Sequence, residues 1–180
     1  MPFIGIDLGT SFIKGAVLDL DRLQLRHIYR APFPRPLPGR PPLHREFDPL
    51  EIVAAARELL VRLAPLAEPV EGIVMCSQMH GLVLTTERGE PRSHVTTWQD
   101  QRVLELAGED GATWFDHLTR QITAEEVRQL GNELRPGLPI GVLYWLRMHG
   151  QLPDPDLYLA SLPDFLFSHL CQTPPMIEPS

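Results

Sequence analysis

The sequence predicts an α/β fold: a mixed β-sheet flanked by helices. Three observations carry that prediction. Residues 3–6 and 13–18 are two short apolar runs, the second rich in β-branched and small residues, with a polar turn between them. Ile52, Ala55, Ala56, Leu59, Leu60 and Leu63 recur at helical spacing. Residues 70–75 then form a run that is continuously apolar after Gly72, the pattern of a parallel strand in a covered sheet.

Each element follows in order. The first turn, Asp7-Leu8-Gly9-Thr10-Ser11, gathers one carboxylate, one glycine and two hydroxyls at the end of a buried strand. Gly9 permits a positive φ and leaves backbone N–H groups uncovered, and Thr10 and Ser11 add hydroxyl donors, so the turn can hold a phosphate. Asp7 has the hard oxygen that Mg²⁺ prefers. A plain tight hairpin with an Asx turn fits the same residues. A glycine-rich P-loop is excluded, because no G-x-x-x-x-G-K-[ST] occurs. Residues 23–29 alternate loosely and read as a third strand, antiparallel to the second. Six prolines between 32 and 42 rule out regular structure there and predict an extended surface connection.

Asp48 then caps a helix, Pro49 suits its first position and Glu51 completes a capping box; the helix ends near Pro65 or Pro69. The strand of residues 70–75 delivers Ser77-Gln78-Met79-His80-Gly81 to its C-terminal end, where open α/β sheets bind ligands. Residues 82–86 read as a strand and Glu87-Arg88-Gly89-Glu90 as a turn. Trp98, Asp100 and Arg102 put an aromatic face, a carboxylate and a guanidinium within a few residues, a set that suits a sugar. The same residues fit a helix start capped by Asp100 with Arg102 in a salt bridge. Thr123-Ala124-Glu125-Glu126 is a second capping box and Gly131 its stop. Leu138-Pro139 opens another helix that ends before Gly150; residues 156–160 suggest a strand, and Leu162-Pro163-Asp164-Phe165-Leu166 a short helix. Trp114 and Trp145 sit in apolar helical settings and read as core.

The bulk numbers narrow the class. One hundred and eighty residues with 43% hydrophobic content suit one domain with a real core. A net charge of −7 argues against a nucleic-acid or anionic-membrane partner. Lys14 is the one lysine; it could steer a phosphate or simply face solvent on the second strand. Cys76 and Cys171 read as reduced, buried small hydrophobes of a cytoplasmic protein. No apolar run approaches the ~18 residues of a membrane span.

Three stretches carry a family resemblance. Ile4-Gly5-Ile6-Asp7-Leu8-Gly9-Thr10-Ser11 resembles the first phosphate motif of the actin, Hsp70 and sugar-kinase superfamily. Gly72-Ile73-Val74-Met75-Cys76-Ser77-Gln78-Met79-His80-Gly81 and Thr97-Trp98-Gln99-Asp100-Gln101-Arg102 resemble the FGGY carbohydrate kinases, in their xylulokinase and sedoheptulokinase branches. Glu46-Phe47-Asp48-Pro49 is similar to the E-x-D-P that ends a variable connection in that family. The resemblance implies a ribonuclease-H-like core, here the first domain of a two-domain kinase spanning residues 1–180 and stopping short of the domain's end. It implies ATP and Mg²⁺ as cofactors and a small sugar as substrate, a ketose or polyol with xylulose first and sedoheptulose next. Asp7 would hold the metal and, with Thr10, serve catalysis; Gly9, Thr10, Ser11 and Lys14 would meet phosphate. Gln78, Met79, His80, Trp98, Asp100 and Arg102 would form the sugar site. The general base and the adenine pocket would lie outside this chain, which alone should be inactive. A non-catalytic sugar- or nucleotide-binding module of the same fold is the alternative, and an Hsp70- or actin-like ATPase would share only the first hairpin. A homodimer could cover an abnormal apolar surface.

Overall fold

A computed structural model describes residues 1–131, 133–152 and 156–176. Strands β1 (Pro2–Leu8), β2 (Phe12–Asp19) and β3 (Gln24–Pro32) form an antiparallel meander. After a loop and the two-residue strand β4 (Glu46–Phe47), helix α1 (Pro49–Leu63) leads to β5 (Gly72–Ser77), which returns parallel to β1. The main sheet has the order β3-β2-β1-β5, mixed as the sequence predicts. The residues 32–42 contain no helix or strand beyond the end of β3.

Alternation explains which face is covered. Ile4, Ile6 and Leu8 of β1 and Ile13 and Val17 of β2 point to one side and are buried. There they meet Ile52, Ala56, Leu59 and Leu63 of α1 in one hydrophobic cluster. Asp48 caps α1 by accepting from Leu50 N at 2.8 Å, with Pro49 in the first turn. Beyond β5 come β6 (Val83–Thr85), which pairs antiparallel with β8 (Tyr158–Ala160), and β7 (Val95–Thr96), which pairs with β4. Helix α5 (Leu162–Cys171) joins the same core through Leu162, Phe165 and Leu166.

The remaining helices are α2 (Trp114–Gln121), α3 (Ala124–Gln129) and α4 (Pro139–Met148). Thr113 and Thr123 each close a full capping box, with Asp116 and Glu126. Gly131 and Gly150 follow α3 and α4 with φ of +71° and +63°, the left-handed stop expected of them. Trp145 is core, 7% exposed, and its indole N–H donates to Glu105 Oε2 at 2.8 Å.

Two expectations are corrected. Strand β5 was expected to be covered, yet Ile73 and Val74 are 54% and 52% exposed, because β5 is the edge of the sheet as described. Cys76 and Cys171 are exposed free thiols rather than buried ones. Cys76 lies within this edge strand, and partial burial, then the neighbouring Asp7 carboxylate, push its pKa up. The expected continuation of the domain past Ser180 lies outside the described residues.

Candidate active site

The β1–β2 hairpin closes when Gly9 N–H donates to the Phe12 carbonyl at 3.1 Å. Gly9 is required here by proximity and not by a positive φ: a Cβ on it would stand 2.9 Å from that same carbonyl oxygen. Next to it, Gln78 N–H donates to the Leu8 carbonyl at 2.9 Å, so the end of β5 is stitched to the hairpin. The side chains continue the connection. Trp98 Nε1–H donates to Thr10 Oγ1 at 3.2 Å, and Thr10 donates to Gln78 Oε1 at 3.2 Å. Three motifs far apart in sequence therefore meet through one hydroxyl.

Beside this relay lies a cavity of about 470 Å³ lined by Gln78, Met79, His80, Trp98, Gln101, Arg135, Pro136 and Gly137. Met79 and Trp98, which line it, are 68% and 46% exposed and offer apolar surface suited to the C–H face of a sugar. Gln78 Nε2 is a buried donor with no partner among the described residues. His80 sits in the left-handed region at φ +65°, which a non-glycine residue adopts only where the surroundings hold it. Its Nε2 lies 3.1 Å from Arg135 Nη2. Burial, then the Arg135 charge, hold its pKa below the usual histidine value, against the opposite pull of Glu133. Gly137, at φ +87°, brings the cavity wall against Trp98: a Cβ would fall 2.3 Å from the Trp98 carbonyl.

On the opposite face of β1 from the core, Asp7 is flanked by its sheet neighbours Lys14 and Cys76. Lys14 Nζ pairs with Asp7 Oδ2 at 3.0 Å, both side chains being well exposed, and Cys76 Sγ lies 3.7 Å from Oδ1. Lys14 is thus tied to Asp7 rather than aimed at the turn. Ser11 is exposed at the hairpin tip. Among the described residues no three His, Cys, Asp or Glu side chains converge as a metal cage. A lone carboxylate of this kind fits Mg²⁺, which keeps most of its waters.

Asp100 and Arg102 pair with each other away from the His80 cavity. Asp100 is 1% exposed, and its two oxygens accept from Arg102 N, Nε and Nη2 and from Arg45 N at 2.8–3.2 Å. Arg102 is 4% exposed and also donates to Glu46 Oε1 at 2.7 Å. The pair holds the Trp98 turn and the β4 edge together; neither residue lines the cavity with His80. Burial raises the Glu46 pKa, but the Arg102 hydrogen bond and charge, helped by His94 and Arg40, outweigh it and hold the carboxyl low. A larger cavity, about 660 Å³, is lined by Glu46, His94 and Arg102 with Leu82, Leu84 and Val142, and there Glu46 already pairs with both His94 and Arg102.

Sequence reasoning missed Arg135 and Gly137. They fall in a turn without periodicity, and the Arg-Pro-Gly step was the available signal.

A phosphate-type hairpin leading a mixed sheet, with a polar cavity beyond the parallel strand's carboxyl end, defines the class: the fold of the actin-like sugar kinases. The solved structures agree. Glycerol kinase with ADP from Plasmodium falciparum superposes with a TM-score of 0.73 at 16% identity, over 96% of this chain and 34% of that one. Xylulose kinase from Rhodospirillum rubrum gives 0.71 at 20% identity, over 93% and 33%. Residues 2–154 match the FGGY family of carbohydrate kinases, N-terminal domain, and the chain belongs to that family. It is 26% identical over 160 residues to xylulose kinase of Bacillus subtilis (strain 168), covering 86% of this chain and 29% of that protein. The chain therefore spans about a third of the length of the relatives it matches.

Proposed function

We propose that this chain is the sugar-binding part of an ATP-dependent kinase that phosphorylates a ketose or polyol, with xylulose the first candidate. One observation carries the reading: Thr10 of the phosphate-type hairpin is hydrogen-bonded to both Gln78 and Trp98 at the edge of the cavity that His80 enters. A phosphoryl donor at the hairpin and a hydroxyl acceptor in the cavity would then lie side by side, which is the positioning that phosphoryl transfer needs. Met79 and Trp98 would pack on the carbon chain, while His80 and Gln78 hold hydroxyl or carbonyl oxygens. Gly9, Thr10 and Ser11 would meet the phosphates of ATP. Asp7 would hold Mg²⁺ through water once Lys14 releases it; the ion supplies neutralisation of phosphate charge. Asp100 and Arg102 support the Trp98 turn from behind.

Among the described residues the cavity lining contains no aspartate or glutamate to take the acceptor hydroxyl's proton. The chain alone is therefore expected to bind its sugar without turning it over; a turnover number in the ordinary kinase range of about 1–100 s⁻¹ would refute this. The test of the reading is calorimetric titration with D-xylulose, then sedoheptulose, repeated with His80→Ala. Binding of one ketose that weakens at least tenfold, about 1.4 kcal/mol, in the variant supports it. Equal binding by the variant removes His80 from the site.

A further inference from the structure

We propose that Arg135 is a positioning residue that fixes His80 as a hydrogen-bond donor in the cavity, so that the ligand atom facing His80 must be an acceptor. A guanidinium has five N–H donors and no acceptor. Arg135 Nη2 stands 3.1 Å from His80 Nε2, so the nitrogen facing it must contribute a lone pair. The imidazole is then neutral with its proton on Nδ1, since the hydrogen bond made by one ring nitrogen decides the state of the other. His80 Nδ1 has no protein partner among the described residues. Its N–H is free for a ligand.

The surroundings favour the same state. A protonated ring would bring two cations together at hydrogen-bond distance, and the ring is partly buried as well. Among the described residues Glu133 is the opposing charge: its Oε2 lies 3.7 Å from Arg135 Nη2, with both side chains more than half exposed. It therefore steadies the guanidinium more than it attracts the ring. The left-handed backbone at His80 fixes the direction in which the ring leaves the loop. Gln78 Nε2, buried and without a partner among the described residues, adds a second donor at the same cavity, and no described carboxylate lines it to accept from a ligand. This corner of the cavity offers donors. It suits the oxygen of a carbonyl, or a hydroxyl that accepts.

The consequence for a ligand rests on the sugar-site reading above; the state of His80 does not. Nitrogen-15 NMR of the histidine-labelled chain decides it. The wild type should show the unprotonated, pyridine-like nitrogen at Nε2 of His80 and a titration below the ordinary histidine range. Arg135→Met should move the ring toward the Nε2–H form and raise its pKa, and Arg135→Lys, which keeps a cation and a donor, should hold the wild-type state. Arg22→Met, an exposed cation far from the cavity residues in sequence and absent from its lining, should change neither. A wild-type ring protonated on Nε2, or an Arg135→Met variant with unchanged tautomer and titration, overturns the proposal; the wild-type spectrum decides even if Arg135→Met does not fold. Failure of every ketose to bind would count against the sugar reading alone.

Discussion

Asp100 shows how one residue type can satisfy two patterns. Aromatic, carboxylate and guanidinium at this spacing suit a sugar site, but the same spacing lets Arg102 fold back in a bidentate grip on Asp100. Burial decides between them. With the carboxylate enclosed, Asp100→Ala removes one of the two carboxylates that balance the buried Arg102 and leaves Arg45 N without its acceptor, and should lower unfolding stability by about 1.5–3 kcal/mol. Urea unfolding measures that loss, whereas a carboxylate presented to a sugar would change affinity and leave stability almost intact. Glu46 belongs to the same network and adds a pH dependence. Its folded pKa is depressed, so its contribution is fully present above the unfolded carboxylate value of about 4.3 and is lost as pH falls through the lower folded value. The difference in thermal midpoint between wild type and Glu46→Gln should therefore be constant near neutrality and shrink in acid. A difference that grows on acidification would contradict the network. Such partners are hard to read from sequence, since Glu46 and Arg102, or His80 and Arg135, are more than fifty residues apart. The hairpin residues Asp7 to Ser11 were legible because their turn chemistry is local.

At the scale of elements, helix ends were the most legible features. Caps are short-range and chemically specific, which is why Asp48, Thr123, Gly131 and Gly150 fall where the sequence puts them. Burial was less legible, because it depends on what else the sheet meets. The contrast between α1 and α3 makes this testable. Leu59 is 4% exposed between α1 and the sheet, so Leu59→Ala should cost about 2–5 kcal/mol of global stability. Helix α3 has no buried residue, so Thr123→Ala, worth about 1 kcal/mol at an N-cap, should act locally. Amide exchange across Ala124–Gln129 should quicken while the global midpoint barely moves. A large global shift would mean that α3 is tied to the core more firmly than its burial indicates.

For the whole molecule, the decisive asymmetry is between the two faces of the main sheet. One is packed under α1. The other is a shallow groove of about 330 Å³ lined by Gly5, Ala16, Leu18, Leu25, Ile28 and Val74 beside Asp7. Val74 and Ile73 are half exposed on β5, whose outer edge has no strand beside it among the described residues. Unpaired backbone groups next to an apolar face form a template for a second strand. A second copy of the chain would bring a matching edge and a matching apolar face, so two copies could shield both at once; self-association through β5 is the outcome to test. Sedimentation equilibrium should reveal a concentration-dependent dimer. Val74→Lys should shift it toward monomer, because a lysine on an edge strand opposes pairing, while urea stability stays close to wild type since the position is already exposed. A wild-type chain that remains monomeric at high concentration, or a Val74→Lys variant that dimerises equally well, would remove this face from consideration as a contact between copies.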